Sequence, residues 1–417
     1  MGERLDKFSI REEPFGYTIF YKNRLRHKFV LAGDLNREKQ LAGITDDESE
    51  ELPFTLKKQY RRDLLVAPVR VYYETTLACD LRCKFCFNSS GKPRSSELTT
   101  DEILQSLDNL KAANVLDIRF TGGEPTQRKD WYKVLGYAKQ LGFAVSCNTN
   151  SAYTNPETAK LMASLNLDQV TVSLDGNEKQ HDTNRGKGSF ARTIRNLRDM
   201  HNLGTKLRVN SLVTKLSLPD VPFLIQTASE LTDEINLFTP VFVGRGEGKE
   251  LDYSVTESEH SEMARIVDTL KPQFPDLNIL YFSQVTKTTS IDLNDNMRFG
   301  LKPGFPSGTT TLNLTSDGGI WCGGYVPYID PDLCLGNIRT DKIEDVWQSS
   351  PVLEQMRDDA GRLMNLCRDC SESAEKRCQG AKYETELERL IHPETTNPWC
   401  IYGTGPSLLK IARERYK

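Results

Sequence analysis

Three cysteines, Cys79, Cys83 and Cys86, fall within eight residues of one another. Thiolates are soft ligands, and this spacing suits three irons of a [4Fe–4S] cluster, which ordinarily takes four cysteines. No fourth cysteine lies nearby, so one iron is left without a protein ligand. An open coordination position is what a catalytic metal centre requires. The competing reading is a structural zinc with a distant fourth ligand, although zinc sites more often use paired C-x2-C. A second set comes late in the chain: Cys367, Cys370, Cys378 and Cys400, with 2, 7 and 21 residues between them. Four such thiols are enough to close one metal site, iron–sulfur or zinc. Cys322 and Cys334 stand upstream of it, and Cys147 is isolated on an apolar stretch, where a core thiol is expected. Ten cysteines in 417 residues are too sparse for a secreted disulfide scaffold. In a reducing compartment, clusters at these spacings read as metal ligands.

The elements that must position these residues show in the hydrophobic period. Between about residues 68 and 282 the strand period of two alternates with the helical period. Strands are predicted around Val69–Tyr73, Leu116–Thr121, 143–148, 168–174, 206–214 and 234–241. A capping box at Thr99 and Glu102 opens a helix whose Ile103, Leu104, Leu107 and Leu110 share one face. Further helices fit about 130–141, 155–165, 189–203, 220–231 and 257–271. Six strand–helix units with short connections predict a parallel α/β sheet. A full eight-fold barrel takes about 250 residues, slightly more than this span, so a partial (β/α)6 TIM-like barrel is expected.

Each distinctive element follows the end of a strand. Cys79–Cys86 follow the first, Gly122-Gly123-Glu124-Pro125 the second, Asn148-Thr149-Asn150 the third, and Ser173-Leu174-Asp175-Gly176 close the fourth. The carboxyl ends of parallel strands form the rim where ligands bind, so these elements converge on one site.

The C-x3-C-x-aromatic-C spacing, with Phe85 as the aromatic, resembles the signature of the radical S-adenosylmethionine (radical SAM) enzymes. The resemblance runs through Gly122–Pro125 and Ser173–Gly176 to His181-Asp182 and Arg185-Gly186, covering residues 69–240. It implies that SAM chelates the open iron and that its reductive cleavage releases a 5′-deoxyadenosyl radical, which abstracts hydrogen from a substrate. It also implies roles for residues of this chain. Gly122 and Gly123 would let the backbone approach SAM, and Glu124 would accept from its ammonium. Ser173 would bond the ribose or carboxylate, and Arg185 would pair with the carboxylate. Asn150 stands where relatives carry a Thr-Asn-Gly turn, but Ser151 replaces that glycine.

After about residue 300 the rhythm stops. Gly336-Asn337-Ile338, Val346-Trp347 and the late cysteines resemble the SPASM extension of radical SAM enzymes, which holds auxiliary iron–sulfur clusters. The family's pattern implies that Cys367, Cys370, Cys378 and Cys400 hold one auxiliary [4Fe–4S] cluster. Seven residues replace the usual five in the middle gap, and Lys382 and Asp341 stand where cysteines are expected. A second cluster would keep only Cys322 and Cys334, with Asp341 as an oxygen ligand. Three domains are expected: residues 1–67, with a β-hairpin over 14–31 whose turn is the charged stretch Lys22–Lys28; a barrel over 68–300; and a SPASM-like domain over 301–417.

The resemblance implies a peptide-modifying enzyme acting on a ribosomally made peptide or a protein. Expected partners are that peptide, a small peptide-recognition protein, and flavodoxin or ferredoxin as electron donor. The hairpin edge is the expected place for an extended peptide to pair. Alternatives are a step in cofactor or tetrapyrrole biosynthesis, and a non-catalytic iron–sulfur carrier, which leaves the missing fourth ligand unexplained. Composition agrees with a globular protein: 38% hydrophobic, 27% charged, 28 Gly and 19 Pro. Lys+Arg 54 against Asp+Glu 58 shows no basic bias toward nucleic acid or an anionic membrane. No apolar run approaches the roughly 20 residues that span a bilayer. No signal-peptide core is visible near Met1, so a cytoplasmic location is expected.

Overall fold

A computed structural model describes residues 7–45, 47–52, 60–281, 306–354 and 357. The chain builds two sheets. The first is four-stranded, with β1 (Phe8–Glu13), β2 (Gly16–Tyr21), β3 (Arg26–Leu31) and β4 (Ser49–Glu51) in the order β3-β2-β1-β4. Strands β2 and β3 are the hairpin expected over 14–31, but β1 extends it into a larger sheet. Sequence reasoning passed over β1 because Arg11, Glu12 and Glu13 look like a solvated charge run. Arg11 and Glu13 are instead buried, at 0% and 1% exposure.

The second sheet has ten strands. Its main run is β5 (Arg70–Glu74), β6 (Asp117–Thr121), β7 (Ala144–Thr149), β8 (Gln169–Ser173), β9 (Leu207–Leu212), β10 (Glu234–Phe238) and β11 (Asn278–Tyr281), all parallel in sequential order. β12 (Thr311–Leu314) joins parallel to β5, with Thr311 opposite Arg70, and β13 (Gly319–Trp321) and β14 (Gly336–Asn337) add antiparallel ribbons. The sheet therefore runs across the expected boundary at residue 300. It ends at β11 on one side and β14 on the other, as an open sheet and not a closed barrel.

Sequential parallel strands joined by right-handed crossovers put their helices on one face. Those include α2 (Thr100–Ala112), α3 (Trp131–Gln140), α4 (Glu157–Ser164), α6 (Ser189–Asn202) and α7 (Val221–Leu231), which follow the N-terminal α1 (Leu35–Ala42). Val71, Tyr73, Ile118, Phe120, Val145, Cys147, Val170 and Val172 point toward that layer and join Ile103, Leu107 and Leu110 in one core. The Thr99–Glu102 capping box is formed, the Thr99 side chain accepting from the Glu102 amide and the Glu102 carboxylate accepting from the Thr99 amide. Helix α5 (Glu178–Arg185) escaped the periodicity because every one of its residues is polar.

The N-terminal sheet shares the main core through Phe20, Leu25 and Phe29. Arg11 fixes the seam: its guanidinium donates to Glu13 (2.8 Å), Ala67 O (2.9 Å), Pro68 O (3.1 Å) and Asn114 O (2.8 Å). Glu13 in turn accepts from the Val66 amide at 2.9 Å and the Thr18 hydroxyl at 2.7 Å. Among the described residues no helix is long and apolar enough to cross a membrane.

Candidate active site

The cysteine loop leaves β5 and returns by Gly91, whose amide donates to Leu77 O at 2.7 Å while Cys79 N donates to Gly91 O. Two other segments hold it. From α5, Asn184 O accepts from Lys84 N at 2.8 Å. After β10, Arg245 donates from its backbone to Cys86 O (3.1 Å), from Nε to Cys83 O (2.9 Å) and from Nη1 to Ser90 O (2.6 Å). A Cβ on Gly244 would lie 2.2 Å from Phe87 O, so only glycine lets this segment close on the loop. Arg245 was missed in the sequence. Its signal was the Gly244-Arg245-Gly246 triplet just past the end of a strand, the same rim position as the other motifs.

The three thiols are half-buried. Burial pushes the Cys79 thiol up to about 12, and it raises Cys83 as well, with the Arg185 guanidinium pulling the other way. Asn150 Nδ2 points at Cys79 Sγ from 3.8 Å, and Arg185 Nη1 at Cys83 Sγ from 4.0 Å. Cys86 Sγ lies 2.9 Å from Asn88 Oδ1. Among the described residues no three His, Cys, Asp or Glu side chains converge on a single metal ion. An iron–sulfur cluster asks for something different, one thiolate at each of several corners. Three soft ligands on one loop, ringed by an amide and a guanidinium that favour bound thiolate, suit such a cluster.

The other residues expected at the site meet the same rim, some in unexpected roles. A Cβ on Gly122 would lie 2.4 Å from Thr76 O, and one on Gly123 would lie 2.2 Å from Ala78 O. Their small size is thus required first by the approach of the cysteine loop's own stem. The amides of Gly123 and Glu124 donate to Thr76 O and Ala78 O. Glu124 is 1% exposed and accepts from Thr126 N, the hydroxyls of Thr126 and Thr149, and Asn150 N at 2.7 Å. Burial pushes this carboxyl up to about 7, against the pull of those hydrogen bonds. The carboxylate is occupied in joining the ends of β6 and β7.

Arg185 donates twice to Asp175, at 2.6 and 3.0 Å, and only Nη1 turns to the cysteines. Asp175 also accepts from Leu212 N, and His181 Nδ1 accepts from Asp175 N, so the expected Ser173–Gly176 and His181–Arg185 motifs form one structure. Ser173 sits at the end of β8 opposite Asn210. Phe85 packs edge-on against Tyr253 and Phe242, with ring centroids 4.8 and 6.3 Å away, as a wedge behind the loop. Ser151 takes φ +53°, the left-handed conformation that the missing glycine would adopt without strain.

The C-terminal segment meets the rim through Tyr328, whose hydroxyl donates to the buried Glu74 at 2.5 Å. Glu74 also accepts from Asn88 and the Ser316 amide, and Arg94 approaches it while pairing with Asp317 at 2.8 Å. Cys322 is buried and Cys334 exposed. Asp341, considered as an oxygen ligand, accepts instead from the Asn337 amide (2.7 Å) and the Thr340 hydroxyl (3.1 Å), closing the turn after β14. Cys367, Cys370, Cys378 and Cys400 lie outside the described residues.

Comparison with known proteins agrees in both halves. Residues 73–217 match the model of the radical SAM superfamily, and residues 306–371 match that of the SPASM iron–sulfur cluster-binding domain. The mycofactocin maturase MftC of Mycobacterium ulcerans is 30% identical over 366 residues, 84% of this chain and 92% of the relative. An AdoMet-dependent heme synthase of Methanosarcina barkeri is 25% identical over 352 residues, 81% of this chain and 98% of its own. Streptococcus suis SuiB bound to precursor peptide SuiA has the same fold, with a TM-score of 0.71 at 18% identity over 95% of this chain and 98% of that one. A thiol loop clamped at the rim of an open parallel sheet, a C-terminal segment continuing that sheet, and likeness along nearly the whole chain have one explanation: this chain belongs to the radical SAM superfamily and carries a SPASM domain.

Proposed function

We propose that this chain is a peptide maturase, an enzyme that uses SAM to modify a ribosomally made peptide. The observation that carries the reading is the likeness to mycofactocin maturase along 84% of the chain. In this reading Cys79, Cys83 and Cys86 hold the reducing [4Fe–4S] cluster, and Cys367, Cys370, Cys378 and Cys400 hold one auxiliary cluster. Bound there, the cluster and SAM supply a 5′-deoxyadenosyl radical. Asn150 and Arg185 steady the thiolates, and Arg245 and Asn184 keep the loop in place. Ser173 faces the cosubstrate, and the ends of β6 and β7, tied together by Glu124, shape its cradle.

The peptide reaches the rim in extended form, pairing with β3, the edge strand of the N-terminal sheet among the described residues. Because that sheet shares the barrel's core, deleting residues 1–60 would open the core and would not test recognition. His27→Pro removes one outward-facing amide donor from β3, in contrast, and should weaken peptide binding about tenfold while leaving SAM cleavage unchanged. Unchanged affinity would place the peptide elsewhere.

The test of the whole reading is chemical. Anaerobically reconstituted protein with SAM and dithionite should form 5′-deoxyadenosine, and Cys83→Ala should abolish it. A short peptide encoded beside the gene should then change mass. If that peptide stays unmodified and a tetrapyrrole is converted instead, the second reading, favoured by the heme synthase likeness, takes its place.

A further inference from the structure

A parallel sheet in an α/β fold ordinarily buries both faces behind aliphatic side chains, and barrel interiors are filled by Val, Ile and Leu. Here the face turned away from the helices is polar from strand to strand. Tyr72 on β5 stands opposite Arg119 on β6, and Arg119 opposite Ser146 on β7; Arg208 on β9 stands opposite Glu234 on β10. This floor of the sheet lies below the rim and includes none of the residues assigned to SAM or to the clusters.

Its charges do not balance. Arg70 and Arg119 both lean on Asp117, and Arg208 pairs with Glu234, giving three guanidinium groups to two carboxylates. Arg119 is the poorly matched one. It is 9% exposed, its Nε reaches Asp117 only at 3.4 Å, and neither Nη group donates a hydrogen bond to a described residue. Its guanidinium carbon lies 5.8 Å from the centre of the Tyr72 ring. Beside it the buried Ser146 hydroxyl has no partner. Burial alone would raise the Tyr72 phenol, yet Arg119 and Arg70 bring it below its ordinary value; the same Arg119 charge, after burial, lowers Arg208. The Arg119 Nη groups have no acceptor among the described residues, although Asp117 Oδ1 on the same floor is itself without a partner there; a guanidinium so placed is costly unless an anion completes it.

We propose that Arg119, with the Tyr72 and Ser146 hydroxyls, binds a carboxylate of the substrate at the floor of the sheet, anchoring the molecule while another part of it meets the rim. The planar fork of Arg119 suits a carboxylate's two oxygens. The proposal deepens the peptide reading and rests on it only in taking the carboxylate to be the peptide's own; a tetrapyrrole propionate offers the same group.

The experiment is thermal unfolding of the full chain at constant ionic strength, with tri-alanine, its C-terminal amide or coproporphyrin III as probe, in wild type, R119Q and R119K. A ligand that binds only the folded state raises the melting temperature by mass action. With tri-alanine the wild type should gain a few degrees, the amide should give none, R119Q should give none, and R119K less than half the wild-type gain. A response to coproporphyrin III alone, lost in R119Q, supports the site and assigns it to a propionate. No wild-type response to any probe overturns the proposal, and so does an R119K response equal to wild type; R119K keeps the charge and serves if R119Q does not fold. None of these readouts involves peptide modification, so an unmodified precursor peptide would count against the maturase reading and leave this site standing.

Discussion

Two buried arginines in this chain sit in opposite circumstances. Arg11, at the seam between the N-terminal sheet and the barrel, is 0% exposed and donates to three backbone carbonyls and to Glu13. Arg119, on the floor of the sheet, is almost as deeply buried and makes one long hydrogen bond, to Asp117. The residue type and the burial are the same. What differs is whether the fold itself supplies the partners. A buried charge fully matched by its own chain is a joint; one left short is available to something that arrives later.

That contrast can be broken by measurement, and the largest expected effect is at the seam. Arg11→Met would leave Glu13 buried without its counter-charge, pushing its already raised carboxyl further toward the neutral acid, and should lower stability by about 3–5 kcal/mol. A loss under about 1 kcal/mol in chemical denaturation would show that the seam is not held in this way. At the rim, Glu124→Gln removes an acceptor shared by four donors, and a loss of about 1–3 kcal/mol is expected at pH 5. Because the Glu124 pKa is raised in the folded state, its stabilising contribution is full below the unfolded value of 4.5 and is lost as pH rises to about 7. The gap between wild type and variant should therefore shrink from pH 5 to pH 8; urea titrations at both values check the sign.

On the floor, R119Q in carboxylate-free buffer should change stability by less than about 1 kcal/mol, since Asp117 keeps Arg70 as partner. A loss comparable to that of Arg11→Met would erase the contrast between the two arginines. The smallest effect is a gain. Ser151→Gly removes a left-handed non-glycine residue and an unpartnered buried hydroxyl, against the greater chain freedom of glycine. A gain of about 0.5 kcal/mol, or about 1–2 °C in melting temperature, is expected.

Much of the barrel was legible because its signals are local. The Thr99–Glu102 capping box, the alternation in β5 and the apolar stripe of α2 depend on neighbours within a few residues. The misses have physical reasons. β1 hid because its inward side chains are charges paired only in three dimensions, and α5 because it has no apolar stripe. β12 was read as part of a separate domain because no local pattern says that it will pair with β5, 241 residues earlier. The glycines at 122 and 123 were found, but their immediate reason, the approach of residues 76–78, was not in their own neighbourhood.

Residue types and spacings alone determined the chemistry available to this protein: three thiols on one loop, their place after a strand, and a rim of glycines and polar groups at successive strand ends. These follow from local covalent spacing and short-range periodicity, which any stretch of chain carries with it. Only the tertiary structure decided which groups are already occupied. Asp175 takes most of Arg185, four donors engage Glu124, the turn after β14 claims Asp341, and Arg119 remains underused. Occupancy is a property of pairs distant in sequence, and it exists only once folding has brought them into reach and excluded the water that would otherwise satisfy each one.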